Sequence, residues 1–194
     1  MAKKTNTITT KWKGPFAWPG YENVCGLPKL PGESGVYLMT FKYKDGYLIY
    51  GAGLTHRNVK ERFKEHTREY LNGKYNILDI DAASNGVRKL VWHGWTYAKA
   101  HREEFEDKKA RLVAAASKQL AAFRIFVANV DHSERIHERL EHGIMKSLYA
   151  QRAPVSTLPD EGMHLSPRNS REPIITVKNR RKSNLFGLPE TLEI

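Results

Sequence analysis

The chain has a single cysteine, Cys25, in 194 residues. That excludes an intrachain disulfide and any cysteine-rich zinc site. It also has no run of about 18 apolar residues, the length a membrane-spanning helix needs. Its basic first segment, MAKKTNTITTKWKG, lacks the apolar block of a secretory signal. The expectation from these shortages is a cytoplasmic protein that does not cross a membrane. Acidic residues are scarce beside basic ones: 21 Asp and Glu stand against 32 Lys and Arg, a formal net charge of +11. A surplus of that size attracts polyanions, of which nucleic acid is the commonest. What is present in quantity is ordinary globular material, with 40% hydrophobic and 27% charged residues. The length suits one domain with a real core. The basic residues are spread along the chain, with small clusters such as Lys178, Arg180, Arg181 and Lys182. That distribution reads as a charged face plus a basic tail.

Residues 1–34 show no clear period, and Pro15, Pro19, Pro28 and Pro31 prevent a long helix. Trp12, Phe16, Trp18 and Tyr21 need a packing surface, so an ordered N-terminal arm is expected. Residues 35–43 are β-branched and aromatic and predict a strand. Lys44-Asp45-Gly46 supplies a hairpin turn, Asp-Gly tolerating positive φ. Residues 47–50 return as a second strand that ends at Gly51-Ala52-Gly53. A helix follows over 57–72, with Val59, Phe63 and Tyr70 along one side. Then come a polar loop (73–86), a strand (87–97), a charged, Ala-rich helix (101–120) and a strand (122–130). A helix over 133–150 carries the stripe Ile136, Leu140, Ile144 and Leu148. Asp131 and Glu134 before it have capping-box spacing. The remainder is loop-like, with one short strand at 174–177. The fold class predicted is α/β (α+β), with a small central antiparallel sheet flanked by helices. It is read as a single domain: an arm at 1–34, a core at 35–150 with an insertion at about 73–121, and a basic extension at 151–194.

Several short patterns fall on these elements. Gly35-Val36-Tyr37 opens the first hairpin strand, and Ile49-Tyr50-Gly51-Ala52-Gly53 closes the second. Leu54-Thr55, Asn58-Val59, Arg62 and His66 follow, and Glu141 lies on the helix after the strand at 122–130. In that order the chain resembles the GIY-YIG nuclease superfamily, over residues 35–66 and 122–150. The second signature needs a one-residue shift between Tyr50 and Gly53, and an extra residue falls between Gly53 and Asn58. The resemblance implies a GIY-YIG-like core and catalytic roles for Tyr37, Tyr50, Arg62, His66 and Glu141. It also implies Mg²⁺ on Glu141, one ion per active site, with Mn²⁺ able to substitute. A late Asn often joins such a site, and Asn169, Asn179 and Asn184 are the candidates.

The side chains suit that chemistry. Cleaving a phosphodiester needs an activated water and charge relief in the transition state. Tyr37 and Tyr50 offer phenols that orient water, or deprotonate beside a cation. Arg62 offers a permanent charge and a planar fork for a phosphate oxygen. His66 lies one helical turn beyond Arg62, on the same face, and can relay a proton or bind phosphate. Glu141 offers hard oxygens. Plainer alternatives stand beside each: strand aromatics for Tyr37 and Tyr50, and a solvated charge for Arg62 among Lys60, Glu61, Lys64 and Glu65. His66 has one as a residue near the helix C-terminus, and Glu141 as a buried partner of an arginine. Arg57 is the rival for Arg62 if the register slips. His93, His101, His132, His137 and His142 read as surface residues, since His137 and His142 are not four apart.

The extra segments around the core resemble the compact type II restriction endonucleases of that family. The expected activity is Mg²⁺-dependent, site-specific hydrolysis of double-stranded DNA by a homodimer with two-fold symmetry. Candidate DNA contacts are Arg57, Lys60, Arg88, Lys89, Arg180 and Arg181. The alternatives are a structure-specific repair or homing-type nuclease, and a catalytically inactive DNA-binding protein on the same fold. An RNA-binding module stacking bases on Tyr37, Phe41 and Tyr43 would leave Arg62, His66 and Glu141 without a role.

Overall fold

The computed structural model describes residues 6–130, 133–161 and 163–194. Asp131, the expected capping residue, and His132 lie outside them.

The N-terminal arm is a strand, β1 (Asn6–Ala17), in which Thr10 and Trp12 face inward between exposed neighbours. Its prolines exclude a helix but tolerate an extended chain. A single helical turn, α1 (Glu22–Cys25), follows. Next comes the expected hairpin, β2 (Gly35–Tyr43) and β3 (Gly46–Thr55). Tyr43 pairs with Gly46, so the loop is Lys44-Asp45, and Lys44 takes the positive φ, at 49°. β3 runs five residues past Tyr50, through both glycines of the second signature. Helix α2 (Val59–Leu71) is capped by Asn58, whose side chain accepts from the Lys60 N–H at 2.9 Å.

The stretch expected as a polar loop holds β4 (Ile77–Leu78) and α3 (Ile80–Ser84), started by Asp79 accepting from the Ala82 N–H. The strand expected over 87–97 shortens to β5 (Leu90–Trp92), and α4 (Trp95–Ala100) takes the rest. The long helix is two, α5 (Arg102–Asp107) and α6 (Lys109–Ala122). β6 (Phe123–Ala128) and α7 (Glu134–Tyr149) fall where expected. The tail holds β7 (Ile175–Arg181), β8 (Leu185–Phe186) and β9 (Thr191–Glu193).

The sheet is therefore not small. Seven strands run in the order β8-β3-β2-β6-β1-β7-β9, because the arm and the tail both add strands, and β4 and β5 form a separate pair. β1 is antiparallel to β6 and parallel to β7. Helices cover both faces. On one, Phe63 and Tyr70 of α2 and Leu120 of α6 pack with Tyr37, Phe41 and Phe123 of the sheet. Trp18 is fully buried there, with its ring 4.6 Å from Phe63 and stacked at 5.3 Å on Phe123. Burying a side chain of that size contributes on the order of 2–3 kcal/mol. On the other face Leu140, Ile144, Met145 and Leu148 of α7 pack on Val36, Leu38, Ile49 and Phe126. No helix among the described residues is long and apolar enough to cross a membrane.

Candidate active site

β8 pairs only with Tyr47 and Leu48 of β3. From Ile49 onward the outer side of β3 has no partner strand among the described residues, and one N–H there, that of Ala52, donates to the Met145 sulfur at 3.2 Å. A cleft of about 140 Å³ opens along this edge, between α2 and α7. All five expected catalytic residues line it: Tyr37 from β2, Tyr50 from β3, Arg62 and His66 from α2, and Glu141 from α7.

The hairpin register explains how two tyrosines from adjacent strands enter one cleft. Tyr37 pairs with Gly53 and Met39 with Gly51, but the next residue, Thr40, pairs with Ile49. Tyr50 is thus the extra residue of a β-bulge, a device that re-aims a side chain. The glycines have reasons too. A Cβ on Gly53 would collide with the end of the Tyr37 ring, which lies across it. Gly35 has φ +142°, and a Cβ there would strike the Ala128 carbonyl of β6.

Arg62 lies close enough to Tyr37 and Glu141 for its charge to act on both. Burial pushes the Tyr37 phenol up to about 12, against the pull of Arg62. Its Oη is 2.8 Å from His66 Nε2, and His66 Nδ1 is 3.3 Å from the Tyr75 hydroxyl. Burial, then the charge of Arg62, pushes His66 down to about 3. The imidazole is therefore neutral near pH 7. Burial raises Glu141 to about 7, again against Arg62. Among the described residues Glu141 has no hydrogen-bond partner or ion pair. Arg62 itself is held at 3.1 Å by Glu65, which also takes Arg57 at 2.9 Å.

Tyr50 is held differently. Its hydroxyl donates to Asp160 Oδ2 at 2.7 Å, while Asp160 Oδ1 accepts from Asn76 at 2.9 Å and from Arg88 at 2.6 Å. Burial, with Tyr70 and Asp160 nearby, raises its pKa well above 10. Burial and the neighbouring carboxylate both favour the neutral phenol. It is a fixed hydroxyl in the wall of the cleft.

The other expected residues are scattered. Arg88 turns inward to Asp160 and the Leu158 carbonyl, so it braces the cleft and does not offer a free surface charge. Lys89 is ion-paired with Asp79 at 2.9 Å. Arg57 and Lys60 are exposed at the start of α2, outside the cleft. Arg180 is exposed and Arg181 donates to the Leu188 carbonyl, both on β7, across the sheet from β3. None of the three late asparagines lines the cleft. Asn169 shapes an exposed turn, the Asn184 carbonyl sits against Gly46, and Asn179 is buried under Thr10 and Trp12. Asn76 bonds to the cleft carboxylate instead. His137, expected at the surface, is buried and bonded to the Val130 carbonyl at 2.7 Å, because α7 turns it under the end of β6.

Asp160, Tyr70, Tyr75, Trp95 and Met163 complete the wall. Sequence reasoning placed Tyr70 on the apolar side of its helix and missed the other four: Tyr75, Asp160 and Met163 come from connecting segments without a period, and Trp95 opens the short helix α4.

Among the described residues no group of three or more His, Cys, Asp or Glu side chains could hold a metal ion. Glu141 fits as a lone protein ligand for a hard cation. It is a desolvated, unpartnered carboxylate, and water or phosphate oxygens can complete the shell. No family model, curated protein or solved structure matches the chain.

Proposed function

We propose that the protein is a DNA endonuclease that hydrolyses phosphodiester bonds in duplex DNA with Mg²⁺, on a GIY-YIG-like core. One observation carries this reading: Tyr37, Tyr50, Arg62, His66 and Glu141, more than a hundred residues apart at the extremes, converge on a single cleft beneath an open sheet edge. The plainer readings fit less well. A buried pair for Glu141 is absent among the described residues, and Arg62 is half-buried beside Tyr37 and held by Glu65, so it is more than a free helix charge.

Each group has a distinct task. Arg62 leaves Glu65 to clamp a non-bridging phosphate oxygen and balance its growing charge. Tyr37 and His66 form a hydrogen-bonded couple at the cleft floor. The neutral imidazole accepts from the phenol, and the phenol oxygen is left to accept from, and so orient, the attacking water. Tyr50, fixed by Asp160, holds the opposite wall. Glu141 would hold the cation, which when bound would supply positive charge against the charge developing at the phosphate. The +11 chain supplies the long-range attraction to DNA. A two-fold dimer would cut both strands of a palindromic site.

The test is incubation of long, mixed-sequence duplex DNA with Mg²⁺, comparing wild type with Glu141→Ala and Arg62→Ala. Discrete fragments from wild type, with at least about a hundredfold slower cutting in each variant, are expected. A Glu141-dependent smear would replace site-specific cleavage with the structure-specific alternative. Salt-sensitive DNA binding without any cutting would leave only the inactive DNA-binding alternative.

A further inference from the structure

Beside the cleft lies a second groove, of about 630 Å³, lined by Tyr75, Trp95, Lys74, Ala98, Lys99 and Arg102 among others. Tyr75 and Trp95 belong to both. Their rings are 4.9 Å apart. Trp95 is 50% exposed, whereas Trp12, Trp18 and Trp92 are at most 5% exposed. An indole left half in water is unusual in a chain that buries its other three.

The backbone holds it there under strain. Trp95 has φ +56°, in the left-handed region that disfavours side chains. Its N–H donates to the Lys74 carbonyl at 2.7 Å, and the preceding Gly94 N–H donates to the Asn76 side chain at 2.8 Å. Gly94 is packed so tightly against residues 74–76 that a Cβ would strike their backbone. Strain of this kind persists only where the surroundings impose it, and it clusters at ligand-binding sites. The rim carries Lys74, Lys99 and Arg102: Lys74 neutralises Glu69 at 2.7 Å, and Arg102 is held by Glu106 and the Asn72 carbonyl, an exposed pair that a phosphate can displace. Tyr75 joins the platform to the cleft chemistry through His66.

We infer that Trp95 and Tyr75 form a stacking platform for one unstacked nucleobase of the DNA strand in the cleft, with Lys99 and Arg102 on the adjoining phosphates. This rests on the nuclease reading. An aromatic face offers stacking to any base, and flanking cations follow the backbone. The platform sets substrate class: DNA in which one nucleotide next to the cut leaves the helix, whether pre-existing or drawn out by the enzyme.

The other tryptophans are buried out of reach of a stacking base, so the emission that a bound base quenches is that of Trp95, read as the difference from Trp95→Leu. Wild type, Trp95→Leu and Trp95→Phe are titrated in chelator with a continuous duplex, the same duplex carrying one unpaired nucleotide, and the single strand. Binding is read by anisotropy and tryptophan emission. Wild type is expected to favour a probe with an unpaired base about tenfold over the continuous duplex, with quenched emission. Trp95→Leu loses preference and quenching, and Trp95→Phe keeps the preference. Preference for the bulged duplex alone points to a base leaving a helix; equal binding of the single strand points to single-strand recognition. No preference in wild type, or preference retained in Trp95→Leu, overturns the platform. A parallel cleavage assay with Mg²⁺ and Glu141→Ala separates the two ideas. Glu141-dependent cutting without base preference removes the platform alone, and preference without cutting removes the nuclease.

Discussion

Glu141 carries a measurable cost at the residue scale. Burial raises its carboxyl from 4.5 to about 7, so between those values the folded protein keeps a proton that the unfolded chain has lost. Stability therefore falls as pH rises through that window, and the full cost is present above it. The displacement corresponds to about 3 kcal/mol, discounted to roughly 2 for the solvent the group still meets. Glu141→Gln is expected to unfold at higher temperature than wild type at pH 8 in chelator, and at the same temperature at pH 4. Equal melting at both would show that the carboxylate is solvated. His66 has the opposite sign. Burial holds it neutral down to about 3, so stability is lost as pH falls below its ordinary 6.5.

At the scale of elements, Asp160 ties the segment after α7 to three others. Its carboxylate accepts from β3 through Tyr50, from the loop before β4 through Asn76, and from the stretch before β5 through Arg88. Its own carbonyl accepts from Tyr149 of α7 at 2.5 Å. Asp160→Ala leaves the buried Tyr50 and Asn76 donors without an acceptor and takes the carboxylate from Arg88, which keeps the Leu158 carbonyl; it is expected to cost about 3–5 kcal/mol in urea unfolding. Asp160→Asn keeps an acceptor and should cost less. A loss under about 1 kcal/mol for the alanine variant would mean that water replaces the carboxylate. The contrast with the hairpin shows what the sequence could reveal. β2, β3, β6, α2 and α7 carry a period of two or of 3.6, so those elements were legible, whereas the five cleft residues on them were marked out by the resemblance and not by the period. Asp160 has no such mark, because the partners that define it lie 84 and 110 residues away. β1 was hidden by prolines that forbid a helix without forbidding a strand, and β8 and β9 are only two and three residues long. Trp95 read as one more strand aromatic, since nothing local distinguishes a half-exposed indole from a buried one.

For the whole molecule the excess of positive charge sets the response to salt. A protein that neutralises four phosphates on duplex DNA loses affinity on the order of a hundredfold between about 50 and about 200 mM salt. A slope that steep, measured by anisotropy with a continuous duplex in chelator, is the expected result; a flat one would remove duplex DNA as the partner. The exposed cations are distributed, with Arg57 and Lys60 near the cleft and Arg180 far across the sheet on β7, so no single replacement is expected to abolish DNA binding if it occurs through them.

β1 sits between β6 and β7, and Thr10 donates to Asn179 across 169 residues. During translation β1 thus waits for a strand that is made more than 150 residues later. Until residues 175–181 emerge, one side of β1 is a bare hydrogen-bonding edge, open to any other extended chain. Contacts of such sequence separation also slow folding, because loop closure must precede the reward. The cleft residues all lie upstream of β7, so they emerge before the sheet that fixes them is complete. A chain lacking residues 175–181 is therefore expected to present that edge to wrong neighbours and to aggregate, which light scattering of the truncated protein would check.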